Sequence, residues 1–141
     1  MTPQQIAQVR GSFAAVEPIC PQIGALFYDK LFERDPTVAA LFRSDMSTQA
    51  RRLMEMIAQA VQLLDSPEQL DTVLGELGQR HLGYGVRAAH YPVVGGALLD
   101  TLAASFGGAF TPELRSAWVA LYEHVSCAML AGATRSNIGS P

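Results

Sequence analysis

The stretch Leu77-Gly78-Gln79-Arg80-His81-Leu82-Gly83-Tyr84-Gly85-Val86-Arg87-Ala88-Ala89-His90-Tyr91-Pro92-Val93-Val94-Gly95 decides how the rest of the chain is read. It closes one helix on a histidine, turns through two glycines and opens a second helix on a Tyr-Pro pair. Going back from His81, the residues Leu77, Leu74, Val73 and Leu70 recur at helical spacing, so the imidazole sits on the buried stripe of its helix. A lone histidine there is more often a core residue with a bonded ring than a ligand. The run Gly83-Tyr84-Gly85-Val86-Arg87-Ala88 has the look of a dinucleotide loop, but it follows a helix instead of a strand, and the phosphate-cradling geometry needs the strand.

Outward from this stretch, four places pair a capping side chain with a proline: Thr2-Pro3, Asp35-Pro36, Ser66-Pro67 and Thr111-Pro112. Each predicts a helix start, because the cap oxygen accepts an orphan backbone N–H and the proline has none to leave unsatisfied. Gln5 and Gln69 complete capping boxes behind Thr2 and Ser66. Ser47 before Thr48-Gln49 is a weaker start. Apolar residues between these signals keep helical spacing, as in Leu53, Met56, Ile57, Ala60, Val61, Leu64 and in Leu114, Ala117, Trp118, Leu121, Tyr122, Val125. The expectation is seven helices, over roughly 3–15, 21–34, 36–41, 48–64, 67–82, 91–106 and 112–131, and no strand.

A chain of 141 residues with 49% hydrophobic content can close one core without disulfides or metals as staples. A formal charge of −3 gives no basic footprint, so nucleic acid is not an expected partner. Neither is a membrane: no run of about 18 apolar residues stands out, and Met1-Thr2-Pro3-Gln4-Gln5 lacks signal-peptide character, so the expected location is cytoplasmic. Cys20 and Cys127 are too few for a disulfide framework and too far apart for a CxxC motif, and read as buried thiols. One domain over 1–131 is expected, followed by a small, polar, flexible tail over 132–141, or the start of a continuation.

Seven helices, the third very short, with a histidine closing the fifth, follow the globin order with its fourth helix lost in the loop after the third. The residues Leu26-Phe27-Tyr28-Asp29-Lys30-Leu31-Phe32, Asp35-Pro36, Leu41-Phe42, Gln49 with Leu53, His81, Tyr91-Pro92-Val93-Val94-Gly95 with Leu98-Leu99, and Ala117-Trp118 with Tyr122 make the match specific. Together they closely resemble the globin domain of bacterial flavohaemoglobins and, still more, the related single-domain bacterial haemoglobins. The resemblance covers about residues 5 to 128, with Tyr28, Phe42, Gln49, His81 and Tyr91 in order at the family's spacing.

The resemblance implies an all-α globin fold around one b-type haem, iron protoporphyrin IX. By it, His81 is the proximal iron ligand, its other ring nitrogen donating to a nearby acceptor. Phe42 lies against the porphyrin, and Tyr28 and Gln49 are distal donors to a ligand carrying partial negative charge. Leu53 limits the pocket size, Val94 and Leu98 wall the other side, and Tyr91 stands near the proximal histidine. Arg80 and Arg87 flank the proximal turn, within possible reach of the haem propionates, while His90 and His124 read as solvated. One family feature is missing: the late glutamate that joins the tyrosine and the proximal histidine in a network falls at Arg135, which lowers the expectation of peroxidase-like chemistry.

Several purposes remain open at this point. The leading expectation is reversible binding of dioxygen, and of nitric oxide and carbon monoxide, for oxygen storage or delivery or for nitric oxide scavenging, by a monomer or homodimer. A nitric oxide dioxygenase served by a separate, external reductase is the enzymatic alternative. The input domain of a longer sensor is a third, and a haem-free helical interaction module a fourth, which would leave Tyr28, Gln49 and His81 without a purpose.

Overall fold

A computed structural model describes residues 1–42, 45–83 and 85–138, the last four by backbone alone. Tyr84 of the glycine turn, and the side chain of Arg135 where the family glutamate was sought, lie outside the described residues. Six α-helices account for most of the chain: α1 (Pro3–Val16), α2 (Cys20–Arg34), α3 (Met46–Gln62), α4 (Pro67–Gly83), α5 (His90–Phe106) and α6 (Pro112–Ile138). Among the described residues there is no strand. The fold class is all-α, as the periodicity predicts.

The caps explain most of these boundaries. The Thr2 hydroxyl accepts from the Gln5 amide at 3.1 Å while Gln5 reaches back to the Thr2 amide at 3.0 Å, the reciprocal box expected from the sequence. Asp35 accepts from Thr37 at 3.0 Å and starts a six-residue 3₁₀ turn, Pro36–Leu41, where the short third helix was expected. The Thr111 hydroxyl caps α6 through the Leu114 amide at 3.2 Å.

Two expectations need correction. The start of α3 is set by Asp45, whose carboxylate accepts from the Thr48 amide at 3.2 Å, so the helix begins before Ser47. A carboxylate answers the helix dipole as well as the orphan amide, which a serine hydroxyl does not. At the other end of the chain α6 runs on through Ile138, beyond the expected stop near residue 131. Gly132 is buried against α4, and that tertiary contact outweighs its poor helix propensity.

The helices pack α4 on α6, α2 on both α5 and α3, and α1 on α6 and α3. Two hydrophobic clusters result. The larger joins Val9 and Phe13 of α1, Met54, Ile57 and Val61 of α3, and Trp118, Leu121 and Val125 of α6. Trp118 is 1% exposed, and its indole N–H donates to the Ser12 hydroxyl at 2.9 Å, tying α6 to α1. The smaller cluster joins Phe27, Tyr28 and Leu31 of α2 with Val38, Ala50 and Ala97, and Phe32, Phe42 and Leu53 lean on it.

By length and hydropathy, His90–Ala109 is the described helical segment that would suffice to cross a membrane. Here it is a packed element of the fold: Asp100 pairs with Arg34 of α2 at 2.7 Å, and Thr101 is fully buried with its hydroxyl on the Ala97 carbonyl. Between α4 and α5 the chain turns at Gly85, whose φ of 93° lies in the region that favours glycine.

Candidate functional site

Facing walls of α3 and α4 border a partly open cavity of about 710 Å³, a usual size for a small-molecule or cofactor site. The second helix and the 3₁₀ turn close one side of it. Tyr28, Leu41, Phe42, Gln49, Arg52, Leu53, Met56, Leu77, Arg80, His81 and Gly83 line it. Five residues singled out in the sequence, Tyr28, Phe42, Gln49, Leu53 and His81, therefore meet in one space although four different parts of the chain supply them.

His81 enters from the last turn of α4. Its Nδ1 lies 2.9 Å from the Leu77 carbonyl oxygen. A carbonyl only accepts, so the proton must sit on Nδ1 and the unprotonated nitrogen is Nε2, the form that can coordinate a metal. Burial lowers the imidazole's pKa from its ordinary value; the Leu77 bond opposes that shift and the Arg80 charge adds to it. The ring is thus biased toward neutrality near pH 7.

Tyr28 is 7% exposed, and burial pushes its phenol up to about 12, so it remains an O–H donor at any physiological pH. The hydroxyl donates to the Gln49 backbone carbonyl at 3.4 Å, a long bond. Around it the rings form a cluster: Tyr28 meets Phe42 edge to face at 5.1 Å between centroids, and Phe42 meets Phe32 at 5.9 Å. Such edge contacts fix the plane of each ring and hold Phe42 at the cavity wall.

The other expected residues lie elsewhere. Val94 and Leu98 line a neighbouring cavity of about 50 Å³, whose wall shares Leu53 and Met56 with the large one. Tyr91 is buried in the main core, and its backbone carbonyl accepts from the Tyr122 hydroxyl at 2.6 Å. Arg80 lines the cavity, whereas Arg87 is exposed in the turn. His90 and His124, read as solvated, both have partners: His90 Nδ1 accepts from the Arg87 amide at 2.9 Å, and His124 Nε2 pairs with Asp71 at 2.7 Å. Arg52 is the charged lining residue the sequence reading missed, beside the apolar Leu41, Met56 and Leu77. It stands three positions after Gln49, so helical spacing from that residue would have found it.

One imidazole cannot hold a metal ion by itself, and no group of three or more His, Cys, Asp or Glu that could hold one occurs among the described residues. A metal at His81 must bring its other ligands with it, as a porphyrin does. The cavity suits such a group: aromatic and aliphatic walls for an apolar macrocycle, a neutral imidazole, and the guanidinium groups of Arg52 and Arg80 for carboxylates.

An all-α fold with a cofactor-sized cavity between two helices defines a class of helical cofactor-binding proteins. The Globin family model matches residues 25–129, and the chain belongs to the globin family. It is 31% identical over 133 residues to a flavohemoprotein of Deinococcus radiodurans, an alignment covering 92% of this chain and 33% of that protein. It is 33% identical over 138 residues to a neuroglobin of Dissostichus mawsoni, covering 88% and 87% of the two chains. A flavohemoprotein of Vibrio cholerae is 26% identical over 125 residues, covering 86% of this chain and 32% of that one. The chain thus spans about a third of the length of these flavohemoproteins. Globins bind haem, and haem-based gas binding is the coarse function that membership carries.

Proposed function

We propose that this chain holds a single b-type haem through His81 and reversibly binds dioxygen, with nitric oxide and carbon monoxide as further ligands, in the manner of flavohaemoglobin-related globins. The observation that carries this reading is the meeting of a neutral imidazole, its Nδ1 tied to Leu77, with Tyr28 and Gln49 in one cavity of about 710 Å³. The haem supplies an iron that coordinates diatomic gases. His81 supplies the protein ligand, and the Leu77 carbonyl fixes which of its nitrogens carries the proton. Phe42, Leu53, Met56 and Leu77 would give a bound haem its apolar contacts, and Arg52 and Arg80 would offer charge to its carboxylates.

Tyr28 and Gln49 select among ligands. A phenol has one proton to give, so donation to a ligand means leaving the Gln49 carbonyl, and the 3.4 Å bond given up is a weak one. A ligand carrying partial negative charge gains a charge-assisted bond in return. His81→Ala is the test of the whole reading. It is expected to abolish stable haem retention, with a weak site restored by added imidazole, while His90→Ala and His124→Ala keep normal haem content. An unchanged Soret band in His81→Ala would overturn the assignment.

A second reading, nitric oxide dioxygenase served by a separate reductase, draws its support from the flavohemoprotein relatives. One nitric oxide, one dioxygen and one electron make one nitrate, so the chain needs an external electron donor for every turnover. Nitrate should accumulate past one equivalent with a reductase present and stop at one without it. Sustained turnover with NADH alone in a flavin-free preparation contradicts the need for a partner.

A further inference from the structure

The two faces of α4 are unequally placed. At about 100° per residue, Gly75 and Gly78 form one group, and Leu77, Arg80 and His81 a second whose members lie roughly 130°, 170° and 90° from the glycines' mean direction. The second group lines the cavity. The first lies against α6, and there the two backbones touch: a methyl group built on Gly78 would run into the Met129 carbonyl oxygen and stand 2.6 Å from its carbon. One built on Gly132 would run into the Gly75 backbone in the same way. A backbone cannot rotate aside as a side chain can. Further toward the start of both helices, Asp71 and His124 are paired at 2.7 Å.

We propose that the crossing of Gly75 and Gly78 with Met129 and Gly132 is the stop that sets how deep α4 sits, and that Gly78 is thereby a positioning residue for His81. The proposal rests on His81 being the haem ligand. α4 is one rigid helix, so any group that forces it off α6 pushes Leu77, on the side away from the glycines, toward the cavity and carries His81 along with it. His81 is one turn beyond Gly78 on the same rigid helix, and the Leu77 carbonyl that fixes its tautomer moves with it. The Asp71–His124 pair holds the helix on the other side of the crossing, so α4 is pinned at one end, pressed at the middle and bears the imidazole at its far end.

This differs from the action of Tyr28 in a measurable way. A displaced proximal imidazole alters the iron itself and affects every ligand alike, whereas a distal donor favours the ligand that carries charge. Gly78→Ala and Gly132→Ala, reconstituted with haem, are expected to shift the iron–histidine stretching band of the ferrous protein in the same direction. They should change dioxygen and carbon monoxide association by one common factor, about two- to thirtyfold. Gly11→Ala in α1, where a methyl would meet nothing within 4 Å, is the control and leaves the band in place. Should neither glycine variant fold, Asp71→Ala, a surface change that removes the acceptor of His124 and releases the other end of α4, is the variant read, and it too should move the band. The proposal falls if no folded, haem-loaded variant among these three moves the band, or if dioxygen rates change and carbon monoxide rates do not. Haem retention in His81→Ala would instead sink the ligand assignment, so the two failures are told apart.

Discussion

The larger hydrophobic cluster, centred on α1, α3 and α6, and the smaller aromatic one, centred on α2, obey different rules. Around Trp118 the packing completes itself: the indole has its acceptor in Ser12, and Val9, Leu121 and Val125 surround it without a ligand. Around Phe42 the packing stops at an open wall, and Phe32, Phe42, Leu53 and Gln49 are only half-buried. The first region supplies stability to the chain alone, while the second holds apolar surface that a bound macrocycle would cover. The binding free energy of that group is therefore drawn from the second region and measured against the first.

Trp118→Ala breaks the comparison most severely. It should lower stability by about 3–5 kcal/mol, the usual cost of truncating a large buried aromatic, and by the same amount with and without haem. Chemical denaturation of both forms checks this. Phe42→Ala should do the reverse, leaving the haem-free protein little changed but shrinking the stabilisation that haem confers. Equal losses in both forms for Phe42→Ala would mean that the aromatic cluster belongs to the self-sufficient core.

Tyr28→Phe sharpens the contrast inside the second region. Removing the hydroxyl keeps the ring contacts and deletes a charge-assisted bond of roughly 1.5–3 kcal/mol. Dioxygen should dissociate about ten- to hundredfold faster, and carbon monoxide, which carries little charge, far less so. Stopped-flow release of both gases decides the matter: equal effects would show that Tyr28 acts by packing.

The smallest effect concerns the link between α2 and α5. Hydrogen bonds from the Arg34 guanidinium at 2.7 and 3.0 Å hold the Asp100 carboxyl below the usual range. A carboxyl whose folded pKa is depressed stabilises the fold above its unfolded value, near about 3.9, and that stability is lost as pH falls through the lower folded value. Both side chains are exposed, at 45% and 42%, so solvent screening limits the contribution to about 1 kcal/mol or less. Asp100→Asn should flatten the acid side of the stability profile below about pH 4 and leave haem binding alone; an unchanged profile would show the pair to be inert.

Much of this was legible in the sequence because caps and helical spacing are local. Thr2, Asp35 and Thr111 each mark an observed start, and the histidine at the end of α4 lies in the cavity wall as its apolar stripe requires. What local rules cannot carry is contact between distant segments. The end of α6 was misjudged because Gly132 looks like a terminator until its contact with Gly75 is seen. The His124 side chain is 41% exposed, as its place off the apolar stripe implies, but its partner Asp71, 53 positions away, could not be read from that place. Val94 and Leu98 share an apolar neighbourhood with the cavity but line a smaller one together with residues of α2, α3 and α6, a meeting of distant segments that local spacing does not record.

Tyr28 also borders an outer groove of about 750 Å³, lined by Phe13, Cys20, Phe32 and Met54 among others. A single aromatic ring is thus a partition between the inner space and the solvent side of α2 and α3. Phenylalanine at this position leaves the partition standing, whereas alanine would knock it through and join groove and cavity into one passage. The difference between Tyr28→Phe and Tyr28→Ala therefore measures the wall, just as the difference between the native tyrosine and Tyr28→Phe measures the hydroxyl.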